Sequence, residues 1–368
     1  MNSKNVLIVS RFFYPDIRPR SSRAFELAKE FARQGHKVVV LTTKKDINYS
    51  SLEKKYGFCV KDIVKSEPKE IQGEGIKRVL RFSLAYLFLY PSILLTRYFK
   101  KALIKEKRYD LLISIAHPYS VHFGVVLALK NNKTLTKTWI ADCGDPFTGI
   151  QHALLPYPFY YKIIERWFCK KADFITVPIQ EAISAYPQNY IHKIRVIPQG
   201  FNLNDVSPSY IEGKNEVPTF AYAGTLSPRL RDPRALLEFL TRNDLKFRFI
   251  IYTRNKAFLS EYVKKLGHKL ELRDYVPRDT LLKELGQMDF LLNLENKGDV
   301  QRPSKLIDYA LLKRPILSLS PSNINTTLVI DFLNGNYSKS LMINNIEDYN
   351  IKNVVESFMQ CTFDMVEE

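Results

Sequence analysis

Four cysteines (Cys59, Cys143, Cys169, Cys361) are spread over 368 residues, with no CxxC pair among them. That spacing excludes a zinc ribbon and a thioredoxin-type centre, and predicts reduced thiols in a cytosolic protein. Six scattered histidines form no HExxH pair, so neither a metal nor another cofactor is expected. No run approaches the roughly 20 uninterrupted apolar residues of a membrane-spanning helix. NVLIVS at 5–10 is too short for a secretory signal and leads directly into Arg11. Acidic charge is scarce in one half only. Residues 1–200 hold 33 Lys and Arg against 16 Asp and Glu, while residues 201–368 hold 22 of each. The whole net charge of +17 therefore belongs to the N-terminal half. Such asymmetry implies a polyanionic partner: a membrane surface, nucleic acid or a phosphorylated substrate. No nucleic-acid motif accompanies the basic excess, so nucleic acid is not expected.

The length favours two domains, and strands alternate with helices throughout. NVLIVS (5–10) reads as a buried strand. Residues 22–34 carry Ala24, Leu27, Ala28 and Phe31 at helical spacing, Gly35 ends that helix, and KVVVLTT (37–43) follows as a second strand. YDLLISI (109–115), TWIAD (138–142), DFITV (173–177) and RVIP (195–198) continue the series, with helices predicted near 120–131 and 158–171. A polar stretch after IPQGFN, up to Pro218, reads as a linker. The pattern then restarts with TFAYAG (219–224), KFRFIIYT (246–253), strands near 270–276 and 289–294, and PILSLS (315–320). The predicted fold class is α/β: two Rossmann-like domains with parallel sheets and a cleft between them, residues 1–200 and 201–350, followed by a C-terminal helix over 351–368 that crosses back to the first.

The run QRPSKLIDYALLKRPIL (301–317) reads as a loop, a helix and a strand. Pro303 suits a first helical turn. The N–H groups of Ser304 and Lys305 would then face an anion, and the Lys305 side chain would add a mobile charge. Asp308 lies on the same helix face, where a carboxylate can accept hydrogen bonds from a diol. An ordinary amphipathic helix with Lys305 and Asp308 solvated fits the same spacing. Segment 77–108 departs from the rhythm: nine basic residues and one acid surround an aromatic-rich apolar middle broken by Pro91. It matches either an interfacial segment on an anionic leaflet or a helix packed on the sheet with solvated ends.

With these pieces placed, the chain resembles the GT-B-fold glycosyltransferases, and family 4 in particular. The likeness rests on VLIVSRFFYPD with RAFELAKEFARQGHKVVVLTT, WIADCGDPF (139–147), ADFITVPIQEAI and KIRVIPQGFN (172–202), FAYAGTLSPRLRDP (220–233), and VPRDTLLKELGQMDFLLNL before PSKLIDYALLKRPIL. The resemblance implies a nucleotide-sugar donor held by the C-terminal domain. Gly224 and Thr225 would let the backbone approach the diphosphate. Arg231, or Arg229, would meet the phosphates, and Lys305 would add the second positive charge. Arg302 and Ser304 would line the entry of that helix, Asp308 would hold the ribose, and Tyr275 and Val276 would cradle the base. Where the family has an earlier acidic residue, eight positions before Asp308, this chain has Val300 between Asp299 and Gln301.

In the N-terminal domain the resemblance places His117 toward the donor sugar, with His122 as a substitute, and Asp142 and Asp145 at a strand's carboxyl end. Asp145 is a catalytic candidate together with His117, Arg231 and Lys305. Paired glycines of the first loop are replaced by Arg18-Pro19-Arg20-Ser21-Ser22, so Arg18, Arg20 and Asp142 are expected to meet the acceptor. His36 reads as structural. The implied activity is transfer of a sugar, with retention, from a nucleoside diphosphate to a growing lipid-linked glycan of capsule, O-antigen or exopolysaccharide type. The expected setting is the inner face of the cell membrane, with segment 77–108 on the anionic surface and no metal required. A nucleotide-sugar epimerase of similar fold and a catalytically silent binding partner are the competing readings.

Overall fold

The computed structural model describes residues 3–16, 18–43, 47–63, 68–149, 157–203, 215–228, 231–295, 305–343 and 345–364. The chain divides into two compact units, Met1–Phe201 with Asp348–Glu368, and Asn202–Glu347. In the first unit the strands are β1 (Asn5–Ser10), β2 (Lys37–Thr42), β3 (Cys59–Asp62), β4 (Tyr109–Ala116), β5 (Thr136–Cys143), β6 (Phe174–Val177) and β7 (Ile194–Val196). Its helices are α1 (Pro19–Arg33), α2 (Ser50–Tyr56), α3 (Ile76–Phe88), α4 (Leu95–Ile104), α5 (Ser120–Asn131) and α6 (Phe159–Lys171). The second unit holds β8 (Thr219–Ala223), β9 (Arg248–Tyr252), β10 (Leu270–Arg273), β11 (Phe290–Leu294) and β12 (Ile316–Leu319). Helices α7 (Arg234–Arg242), α8 (Ser260–Leu266), α9 (Arg278–Leu285), α10 (Lys305–Leu311) and α11 (Thr326–Leu333) surround them, and α12 (Ile351–Asp364) closes the described chain.

The sheets run β3-β2-β1-β4-β5-β6-β7 and β10-β9-β8-β11-β12, and the pairings described are parallel. Parallel strands are covered on both faces, so they read as near-continuous apolar runs. Val6 to Val9, Leu111 to Ile113 and Phe290 to Leu292 are fully enclosed. Strand order reverses between β1 and β4 in the first sheet and between β8 and β11 in the second. A crevice opens at the carboxyl ends of the strands at such a reversal, and ligands of doubly wound folds collect there.

Helix α12 belongs to the first unit. Ile351, Val354, Val355, Phe358 and Met359 join Ala24, Leu27, Ala28 and Phe31 of α1 in one core. The chain arrives through paired bonds, Phe201 N–H to Tyr349 carbonyl at 2.8 Å and Ile351 N–H to Phe201 carbonyl at 2.9 Å. Gly200 makes that approach possible, because a Cβ there would stand 2.4 Å from Ile351 Cδ1.

Segment 77–108 splits into two unlike halves. In α4, Leu95, Thr96, Phe99 and Leu103 are buried, and a Cβ on Gly124 of α5 would come within 2.5 Å of Phe99 Cβ. In α3 no residue is buried. The packed-helix alternative thus holds for α4, while α3 buries none of its residues.

Candidate functional site

In the second unit, candidate residues gather at the carboxyl end of β8. Gly224 has φ +146, in the region glycine tolerates, and a Cβ would lie 3.3 Å from the Tyr222 hydroxyl. Thr225 follows, exposed, with its Oγ1 3.5 Å from the hydroxyl of Tyr275. Arg254, just past β9, stacks over that tyrosine ring at 4.9 Å. Val276 is turned partly inward onto the core instead. Arg231 is fixed through its backbone, which exchanges hydrogen bonds of 3.1 and 3.3 Å with Ser227 across a short loop. Its side chain bonds the Tyr222 hydroxyl.

Lys305 opens α10, and its placement differs from the mobile charge expected of it. The Nζ is enclosed, makes no hydrogen bond among the described residues, and sits 3.6 Å from the Tyr222 ring centroid. Burial drives its pKa well below the usual lysine value, and the Arg231 charge adds to that. A buried amine beside an arginine, with the ring faces of Tyr222 and Tyr309 near it and no hydrogen-bond acceptor among the described residues, is electrostatically incomplete. An anion would complete it. One turn on, Asp308 is held by Arg278, whose Nε and Nη2 lie 3.0 and 2.6 Å from Oδ1, leaving Oδ2 without a bond among the described residues. Burial raises the Asp308 pKa, and Arg278 opposes it. The Tyr309 hydroxyl accepts the Ala223 N–H at 3.0 Å, tying α10 to the end of β8. Arg229, Arg302 and Ser304, with Val300 and Pro303, lie outside the described residues.

In the first unit, His117 follows β4 directly and is exposed. Crowding of its ring lowers its pKa; Asp145 pulls the other way, and Arg20 and Arg11 reinforce the lowering. These four residues therefore share one field at the β1/β4 reversal. Arg20 lies across Gly144, where a Cβ would stand 1.6 Å from its Nη2. The Tyr119 hydroxyl donates to the Asp145 carbonyl and pins the loop after β5. Arg18 is exposed, paired with Asp16 at 2.7 Å and stacked 3.7 Å over Phe12.

Asp142 is not at an open surface, contrary to its expected contact with an acceptor. It is buried, with Arg23 Nη2 2.7 Å from Oδ1, Arg23 Nε 3.1 Å from Oδ2 and Thr176 Oγ1 2.6 Å from Oδ1. Burial would raise its pKa, but the Arg23 charge and hydrogen bonds outweigh that and lower it. His122 is likewise closed in: Nδ1 meets Ser114 Oγ at 2.8 Å, Nε2 meets Cys143 Sγ at 3.4 Å, and burial takes its pKa down to about 3. His36 accepts the Lys4 N–H at 3.2 Å from within the core edge.

Sequence reasoning missed Tyr222, Arg254, Arg278, Arg11 and Arg23. Of these, only Arg278 carried a local signal, sitting at the head of the VPRDTLL helix start.

A family model for Glycosyltransferase Family 4 matches residues 21–205. No curated protein sequence matches the chain. Among solved structures it is similar to a glycosyltransferase from Rickettsia africae, at 13% identity and TM-score 0.60, covering 99% of this chain and 94% of that one. It is similar to Anabaena HepE, solved in complex with UDP and glucose, at 12% identity and TM-score 0.61, covering 99% and 98%. A UDP-N-acetylglucosamine 2-epimerase from Rickettsia bellii also shares the fold, at 12% identity and TM-score 0.53, covering 100% and 98%. At such identities the likeness is one of fold.

Proposed function

The chain belongs to glycosyltransferase family 4 and has a GT-B fold, and from that premise we propose that it moves a sugar from a nucleoside diphosphate to a lipid-linked glycan with retention of configuration. The observation that carries the reading is the enclosed, unbonded Lys305 amine beside Arg231 and the open backbone at Gly224. In the proposed reaction the bond from the anomeric carbon to the diphosphate oxygen breaks, and the acceptor oxygen bonds that carbon from the same face. The acceptor proton passes to the departing phosphate. Arg231 and Lys305 stabilise the charge that develops on the leaving group, and preorganised cations of this kind account for about 10²–10³ in rate per group. Asp308, oriented by Arg278, holds the ribose through its remaining oxygen. Tyr275 with Arg254 supplies a flat surface for the base.

HepE was solved with UDP and glucose, which makes uridine diphosphate the first donor base to try. Release of nucleoside diphosphate from a panel of nucleotide-sugars, with and without lipid extract as acceptor, tests the reading. One donor is expected to turn over, faster with the extract; no release from any donor overturns it. Because side-chain cations do the work assigned to a metal elsewhere, turnover is expected to survive excess chelator.

His117 is assigned to the reacting sugar, on its place at the end of β4 in the field of Arg20, Arg11 and Asp145. His117→Ala should then lower kcat by roughly ten- to a hundredfold, the scale of a hydrogen bond of ~1.5–3 kcal/mol to a charged group. Nucleotide affinity should stay near wild type, since the contact forms with the reacting sugar and not with the diphosphate. Wild-type turnover in the variant would return His117 to the status of a surface residue.

A further inference from the structure

Helix α3 is amphipathic and none of its residues is buried. Ile76, Val79, Leu80 and Leu87 fall at helical spacing along one side, with exposures of 87%, 66%, 47% and 38%, while Phe82, 60% exposed, borders the basic side with Arg78 and Arg81 5.9 and 5.8 Å from its ring. Lys77, Arg78 and Arg81 occupy the opposite side. The helix is nonetheless fixed to the unit, and α6 fixes it. The Tyr161 hydroxyl donates to the Tyr86 carbonyl at 2.7 Å, and the Tyr160 hydroxyl donates to the Leu87 carbonyl. The same end of α6 exposes Phe159 by 81% and Ile163 by 60%, two large apolar side chains one turn apart. Lys162, Arg166 and Lys170 accompany them, all exposed, and the helix's one acid, Glu165, is buried and accepts the Thr148 hydroxyl.

We propose that α3 and the first turns of α6 form one membrane-inserting face, in which Phe159 and Ile163 enter the acyl region of an anionic leaflet beside the apolar side of α3. The proposal deepens the membrane-surface reading of segment 77–108, rests on the lipid-linked acceptor named above, and adds a second helix that the segment does not contain. The charge pattern selects the occupant. Neither α3 nor α4 contains an acid, and the exposed charges on all three helices are basic. A second copy of the chain would bring the same basic rim against this one and be repelled, whereas anionic headgroups are attracted and the apolar side chains gain a nonpolar medium. A span is excluded by packing. No single helix among the described residues is long and apolar enough to cross, and the bent pair that passes on composition includes α4, whose apolar side is in the core.

The test uses the full chain with vesicles of phosphatidylglycerol and phosphatidylcholine, and with phosphatidylcholine alone. Wild type is expected to cosediment with the anionic vesicles. Phe159→Ser with Ile163→Ser should reduce that partition more than tenfold. Nucleoside diphosphate release in vesicle-free buffer should be unchanged in this variant, so failure of the donor reading and failure of the face register separately. Unchanged partition in the α6 variant would remove α6 from the face. Wild type that ignores anionic vesicles, or that dimerises in light scattering until Phe159 is changed, would overturn the lipid assignment in favour of a protein partner.

Discussion

Asp142→Asn is expected to lower the stability of the first unit by about 3–5 kcal/mol, the cost of breaking a buried ion pair by removing one partner. The substitution keeps the shape of the side chain and leaves Arg23 buried without its counter-charge. Both side chains are 3% exposed, so water cannot compensate. Arg23 Nη1 donates to the Pro198 carbonyl and Nη2 also reaches the Ile197 carbonyl, at the exit of the first unit, and the guanidinium lies 5.3 Å from the Phe358 ring of α12. One ion pair therefore ties together α1, β5, the chain after β7 and the returning helix. Arg23→Lys should behave similarly, since an ammonium cannot reproduce the two-oxygen contact. The two tryptophans, Trp139 and Trp167, both lie in the first unit, so denaturation followed by their fluorescence reads this unit directly. The Asp142 pKa is lowered in the folded state, so the pair's contribution is present above the unfolded aspartate value and is lost as pH falls through the folded value. The difference between wild type and Asp142→Asn should shrink in that acidic window. An unchanged midpoint at neutral pH would mean the pair contributes nothing net.

The same residue marks where sequence reading stops. TWIAD correctly announces a strand ending in a carboxylate, but what that carboxylate does is decided by Arg23, 119 positions earlier, and Thr176, 34 positions later. Strands buried on both faces were legible because burial imposes near-continuous apolar runs, as in YDLLISI. Strand β3 was missed, because an edge strand of sequence CVKD is largely exposed and has no such run. Helix α11 was missed as well, its TTLVIDFL too short to display a period. Lys305 and Asp308 could be singled out by spacing alone, since i and i+3 share a helix face. Their environments could not be. Tyr222 reaches Lys305 from 83 positions away and Arg278 reaches Asp308 from 30. The basic, aromatic composition of 77–108 identified an unusual segment, and only tertiary packing could divide it into an inward α4 and an outward α3.

Lys305→Met is expected to make the protein more stable and a much poorer nucleotide binder. Methionine is nearly as long as lysine and can keep its packing over Tyr222. It removes an amine that is enclosed and unbonded among the described residues. Because burial holds the Lys305 pKa below its unfolded value, the unfolded chain binds that proton more readily. Wild-type stability should then rise with pH between the folded value and the ordinary lysine value, and the variant should lack this slope. Binding runs the other way. On the proposed reading, a diphosphate beside Lys305 and Arg231 would favour the charged amine, so binding is expected to be accompanied by proton uptake. Wild-type affinity should weaken as pH rises through the window between the free and bound values. Calorimetry in buffers of different ionisation enthalpy would detect the uptake. Truncating one partner of such a desolvated pair costs about 2–5 kcal/mol, or roughly 30- to several-thousand-fold in Kd. The two effects together are the discriminating result, because a damaged fold cannot lose affinity while gaining stability. Equal nucleoside diphosphate affinity in Lys305→Met and wild type, with no proton uptake, would sink the assignment of this amine to the diphosphate.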